Sequence, residues 1–208
     1  MLYCDILTAL DNTLSDVLHM TWPMLFISLV LISTLRIAYL FKKREEFIIY
    51  KEIFMLAFVL YILCLFQVVT SQDINMISGN NFIPFKEIFR YKFGERLFVK
   101  NIIGNVIMFI PYGFFVPIYS GIRKNKGAFT LIIFASIAIE VTQLMIGRIF
   151  DIDDILLNVL GGMLGFWFFV ALDKLCGILP KFFRTNLFKN VVSIIAFLFF
   201  IVYIIWRL

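Results

Sequence analysis

Six stretches of this chain are apolar enough to approach the ~20 residues that cross a lipid bilayer, and this excludes almost every soluble fold. They cover residues 22–40, 53–69, 102–119, 128–146, 155–172 and 191–206. Hydrocarbon offers no partners for backbone amides, so each stretch is expected to be helical. Composition agrees: of 208 residues, 62% are hydrophobic and 16% charged, too much apolar surface for a core of this size to hide from water. The expected fold is an all-α polytopic membrane bundle of six helices, with one long basic and aromatic interfacial segment. It reads as a single membrane domain over 1–208, without internal repeats or low-complexity tracts.

The basic residues orient the bundle. With the N-terminus outside, inner segments hold Lys42, Lys43, Arg44, Lys51, Arg123, Lys124, Lys126, Lys174, Lys181, Arg184 and Lys189, eleven in all. Outer segments hold seven: Lys86, Arg90, Lys92, Arg96, Lys100, Arg148 and Arg207. The positive-inside rule favours this arrangement, with both termini outside. The first nineteen residues contain no Lys or Arg and carry Asp5, Asp11 and Asp16, the reverse of a cleavable signal's basic start. In the same region Ile6, Leu10, Leu14 and Val17 recur at helical spacing, predicting a short amphipathic helix ahead of the first span. Cys4, Cys64 and Cys176 share no spacing that suggests metal or redox chemistry.

Polar residues collect in the middle of the chain. Residues 71–100 form the only long connection, where Lys86, Arg90, Lys92, Arg96 and Lys100 alternate with Phe89, Phe93, Leu97 and Phe98. Such a mixture suits a membrane interface, with rings among head groups and cations toward anionic lipid; a phosphate platform is the sharper alternative. Facing away from the cytoplasm, this segment is a poor candidate for nucleic acid. Pro84 is placed to start a helix, because its missing N–H is not needed in a first turn. Asn101, Asn105 and Tyr112 share a stripe of the third span, where asparagine usually bonds a neighbouring helix.

The fourth span carries Ser136, Glu140 and Gln143 on one face, followed by Gly147. A carboxylate at this depth costs at least ~2.5 kcal/mol unless it is paired, protonated or hydrated. Arg148, Arg90 and Arg96 are the candidate partners for Glu140. The fifth span continues the pattern with Asp151, Asp154 and Asn158 on one face and Gly161-x-x-x-Gly165 below them. The two aspartates can simply complement the positive end of the helix. The two glycines permit close helix approach, including self-association of two copies.

These residues, taken together, resemble the VanZ-like family of bacterial integral membrane proteins, named after a determinant of resistance to the glycopeptide teicoplanin. The resemblance covers 81–172. It rests on Asn81-x-x-Pro84-Phe85, on Asn101-x-x-Gly104-Asn105-x-x-x-Phe109-x-Pro111-x-Gly113, and on Ser136-x-x-x-Glu140-x-x-Gln143. The fourth fragment is Gly147-Arg148-x-x-Asp151-x-x-Asp154-x-x-x-Asn158-x-x-Gly161-x-x-x-Gly165. Residues 1–80 then read as a two-span extension and 173–208 as a C-terminal loop and last span. The resemblance implies a multi-pass protein of the bacterial cell membrane and brings no catalytic residue, cofactor or metal.

Three functional readings follow. The first is a non-enzymatic envelope protein whose polar cluster of Asn81, Pro84, Asn101, Asn105, Glu140, Gln143, Arg148, Asp151, Asp154 and Asn158 binds a membrane lipid or lipid-linked cell-wall precursor. The resemblance extends this to lower susceptibility to lipoglycopeptides. The second is an enzyme in which Asp151, Asp153 and Asp154 hold Mg²⁺ against a lipid-linked phosphate and Glu140 is the base; Asp153 lies off the Asp151/Asp154 face. The third is a transporter with Glu140 as proton site, disfavoured by the lack of an inverted repeat.

Overall fold

The computed structural model describes residues 2–43, 46–71, 80–91 and 96–207. The expectation for Lys92 lies outside them, and of Arg96 and Lys100 only the backbone is described. Six helices are long and apolar enough to span a membrane. They are α1 (Leu2–Lys43), α2 (Ile49–Ser71), α3 (Gly104–Ser120), α4 (Asn125–Met145), α5 (Ile152–Ile178) and α6 (Asn186–Arg207). A short α turn (Arg96–Phe98) and a π-helical turn (Val99–Ile103) lead into α3 without a break. The described residues contain no strand beyond one isolated bridge.

All six expected spans are present, most of them lengthened by a few polar residues at their ends. The separate amphipathic helix is not: α1 runs through 42 residues, with Pro23 inside it. At ~1.5 Å per residue that is ~63 Å, well beyond the ~30 Å of a hydrocarbon core. The N-terminal periodicity was legible, but no Gly or Pro separates residues 6–17 from the apolar run at 22, so nothing in the chain ends the helix there.

The chain forms two compact units, residues 14–67 with 174–208, and residues 1–13 with 68–173. In the former, Arg36 of α1 makes a two-pronged ion pair with Glu52 of α2 at 2.8 and 3.0 Å. Asn190 of α6 accepts from the Tyr50 amide at 3.0 Å, and Lys189 lies over the Tyr50 ring.

The latter unit holds the polar stripes, and glycine decides its packing. A Cβ on Gly161 would overlap the Val106 carbonyl of α3, one on Gly165 the Ile110 carbonyl, and one on Gly113 the Gly162 carbonyl. Backbone therefore lies directly on backbone between α3 and α5, as small residues allow. On its other side α5 meets α4, where Ile132 packs against Gly162. Phe109, Ala128, Ile132 and Phe166 fill the core among these three helices. The Gly161/Gly165 face offered above for self-association is thus occupied within the chain, by α3. Gly161→Ala and Gly165→Ala are each expected to cost about 1–3 kcal/mol through overpacking. Thermal denaturation in detergent reads this, with Gly177→Ala, where a Cβ meets open space, as the unaffected comparison.

Candidate functional site

Three peptide segments meet where α4 ends and α5 begins. Gly147, at φ 88°, turns the chain after α4 in a conformation that glycine adopts without strain. The returning segment, residues 149–151, then pairs with the long connection through one isolated bridge. The Asn81 amide donates to the Phe150 carbonyl at 2.8 Å, and the Ile152 amide donates to the Asn81 carbonyl at 3.1 Å. Asn81 Nδ2 also donates to Asp151 Oδ1 at 2.8 Å, while its Oδ1 accepts from the Ile83 amide and so turns its own loop. Asn81 is buried, as expected of a residue satisfied on both sides.

Asp151 caps α5: its Oδ1 accepts from the Asp153 amide at 2.9 Å. Burial pushes its carboxyl above the usual range, opposed by the hydrogen bonds from the Asp153 amide and the Asn81 side chain. Asp151 and Asp154 both lie at the positive end of α5, as expected, and Asp154, in the first turn, has a further role. Its carboxylate accepts from Asn105 Nδ2 of α3 at 2.5 Å.

Asp153 is the residue the sequence reading undervalued. It is 1% exposed, and its two oxygens accept from three backbone amides of the connection, those of Phe85 at 2.5 Å, Glu87 at 2.8 Å and Ile88 at 3.3 Å. Phe85 takes φ 66° to present its N–H, a left-handed geometry that bulky residues rarely adopt. Pro84 therefore does not start an α-helix; it precedes this strained turn, which leads only into a 3₁₀ turn at Ile88–Arg90. Phe82, Ile83, Phe85 and Phe89 project from the same segment with more than half of their surface exposed. Lys86 is exposed too, and Arg90 pairs with Glu87 at 3.1 Å.

Glu140 is 1% exposed and satisfied without a direct ion pair. Its Oε2 accepts from the Asp151 amide at 3.0 Å. Gln143, with its amide nitrogen toward Glu140 and its oxygen toward Arg148, donates to Oε1 at 2.8 Å and accepts from Arg148 Nη1. The same Nη1 lies 3.4 Å from the Val69 carbonyl. Arg148 thus reaches Glu140 through Gln143, which corrects the direct pairing expected above. Arg90, engaged with Glu87, supplies no partner to Glu140.

One turn deeper, Asn158 Nδ2 donates to Ser136 Oγ at 3.2 Å, joining the α4 and α5 stripes. Asn158 is 3% exposed, and its Oδ1 is buried with no hydrogen-bond partner. An amide carbonyl left this way typically costs about 1–3 kcal/mol. Asn101 is not brought into the cluster: its Nδ2 donates to the Tyr91 hydroxyl at 2.8 Å. The arrangement therefore gathers Glu140, Asp151, Asp153 and Asp154 near the guanidinium of Arg148. Among the described residues, no three His, Cys, Asp or Glu side chains could hold a metal ion together. Chemically the cluster offers acceptors: among the described residues, Asp154 receives a hydrogen bond from Asn105, Asn158 Oδ1 receives none, and both oxygens of Asp153 are engaged by its loop.

A family model described as VanZ/LLP1 matches residues 52–179, most of the chain and more than the 81–172 stretch that carries the motifs. No curated protein and no solved structure matches.

Proposed function

Because the chain belongs to the VanZ-like family of membrane proteins, we propose that it is a non-enzymatic protein of the bacterial cell membrane that binds a lipid or lipid-linked cell-wall precursor at the outer leaflet. By the same reading it lowers susceptibility to lipoglycopeptides such as teicoplanin, whose acyl chain enters the same interface. The observation that carries the proposal is the convergence of Glu140, Asp154 and Asn158 at one end of α4 and α5, with a sealed acceptor left over. Polar contacts between packed helices ordinarily close their hydrogen bonds, and this acceptor is left for a further donor. The metal-dependent alternative loses support because Asp153, one of its three aspartates, has both oxygens engaged by loop amides.

The outer placement rests on the distribution of Lys and Arg, and it has a direct test. In a cysteine-free background, an impermeant thiol reagent applied to cells is expected to label cysteines placed at positions 78–80 and to spare those at 125–127. Labelling of the second set alone would put the cluster on the cytoplasmic side and end the outer-leaflet reading. The binding claim is tested by native mass spectrometry of the purified chain: retained lipid supports it, and a chain that retains none overturns it.

A further inference from the structure

The open valences of the cluster have one character. Among the described residues Asp154 accepts a hydrogen bond only from Asn105, and Asn158 Oδ1 accepts none, although Asn158 is 3% exposed. The position of that amide is fixed by its neighbours. Asp154 and Asn158 are one helical turn apart on α5, and Ser136 and Glu140 one turn apart on α4, so both pairs share a face. The bond from Asn158 Nδ2 to Ser136 Oγ ties the lower members together. The unfilled oxygen therefore belongs to an amide held at the seam between α4 and α5, one helical turn below Asp154. Arg148 Nη1 faces Gln143 and the Val69 carbonyl, so among the described residues its hydrogen bonds go to neutral acceptors rather than to a carboxylate.

We propose that this seam binds the primary ammonium group of a membrane-lipid head group, held by Asp154, Glu140 and Asn158 Oδ1. The inference rests on the lipid-binding reading above and names the head-group chemistry. An ammonium brings three N–H donors to a site whose free positions are acceptors, and one positive charge to a site with an excess of carboxylates. A phosphate without an amine would meet those carboxylates as a like charge. A quaternary ammonium has no N–H to give to Asn158. A lipid is the source because the seam lies at the end of two bilayer-length helices. Beside it is the Asp153-held loop, from which Phe82, Ile83, Phe85 and Phe89 project.

The test uses the full chain, purified and exposed to equimolar phosphatidylethanolamine, phosphatidylcholine and phosphatidylglycerol, with retained lipid counted by native mass spectrometry. Phosphatidylethanolamine is expected to be enriched about tenfold over both others. Asp154→Asn keeps the shape and leaves an oxygen for Asn105, so it is expected to fold and to abolish the enrichment. Asn158→Asp adds an acceptor and a charge, and is expected to raise the enrichment, a gain that misfolding cannot mimic. Equal retention of the three lipids overturns the inference, as does preference for either competitor or enrichment that survives Asp154→Asn. Failure of the wild type to retain any lipid overturns the lipid-binding reading as well, so the two failures are distinguishable.

Discussion

Replacing Asp153 with alanine is expected to detach residues 83–88 from the start of α5 and to be among the most destabilising single changes in this protein. Three backbone amides lose their acceptor together. A hydrogen bond to a charged group contributes about 1.5–3 kcal/mol, and although the three do not add fully, their joint loss is a large share of any domain's stability. Phe85 would also lose the contact that accompanies its left-handed backbone. Asp153→Asn should be nearly as harmful, because its NH₂ would face N–H donors where the second oxygen stood. Limited trypsin digestion reads the effect locally, since Lys86 and Arg90 lie on the same segment and are exposed. Cleavage there should accelerate strongly in both variants, and the thermal transition in detergent should fall. Unchanged digestion and an unchanged transition would mean that the connection is held by the Asn81 bridge alone.

Arg148→Ala is expected to deplete the protein from the membrane, because Gln143 loses the charged donor that holds it toward Glu140, a bond of a kind that contributes about 1.5–3 kcal/mol, and the nearby carboxylates lose a compensating charge. Lys124→Ala, at the exposed turn between α3 and α4, should do little. The contrast with lysine is informative. Among the described residues, the acceptors that Arg148 meets, Gln143 Oε1 and the Val69 carbonyl, share one nitrogen, Nη1, which does not call on the two-pronged guanidinium fork. Arg148→Lys should therefore restore much of the abundance, where a two-pronged contact with a carboxylate would have allowed little rescue. Glu140→Gln and Asp154→Asn separate structure from function. Each keeps the shape and removes a charge, and Asp154→Asn is expected to keep normal abundance while losing the activity. The assay is membrane abundance measured beside teicoplanin susceptibility, in a host where the wild type lowers susceptibility. Full abundance and full activity in Arg148→Ala and Glu140→Gln together would remove the charged cluster from the function.

The sequence by itself determined the solvent, the number of spans and the stripes. Hydrocarbon forces backbone bonds to close within each apolar run, so six helices could be read from length and hydropathy. Helical periodicity placed Ser136, Glu140 and Gln143 on one face and Asp154 and Asn158 on another, and the structure joins those faces through Asn158 and Ser136. The Asn81 motif was visible as a motif, but its parallel pairing with Asp151 lies 70 residues away and depends on a contact no local pattern encodes. Periodicity misled at Asp153, which lies off the stripe. An acceptor for loop amides must face the loop rather than the helix neighbours, and the loop's position is a property of the folded chain. The same reasoning covers Arg148, where adjacency suggested a direct ion pair and Gln143 came between, and Gly161 and Gly165, whose small-residue spacing says that a backbone approaches but not which one. Tertiary structure alone assigned that approach to α3 and left Asn158 Oδ1 without a partner, because which donors and acceptors meet is set by how three helices pack.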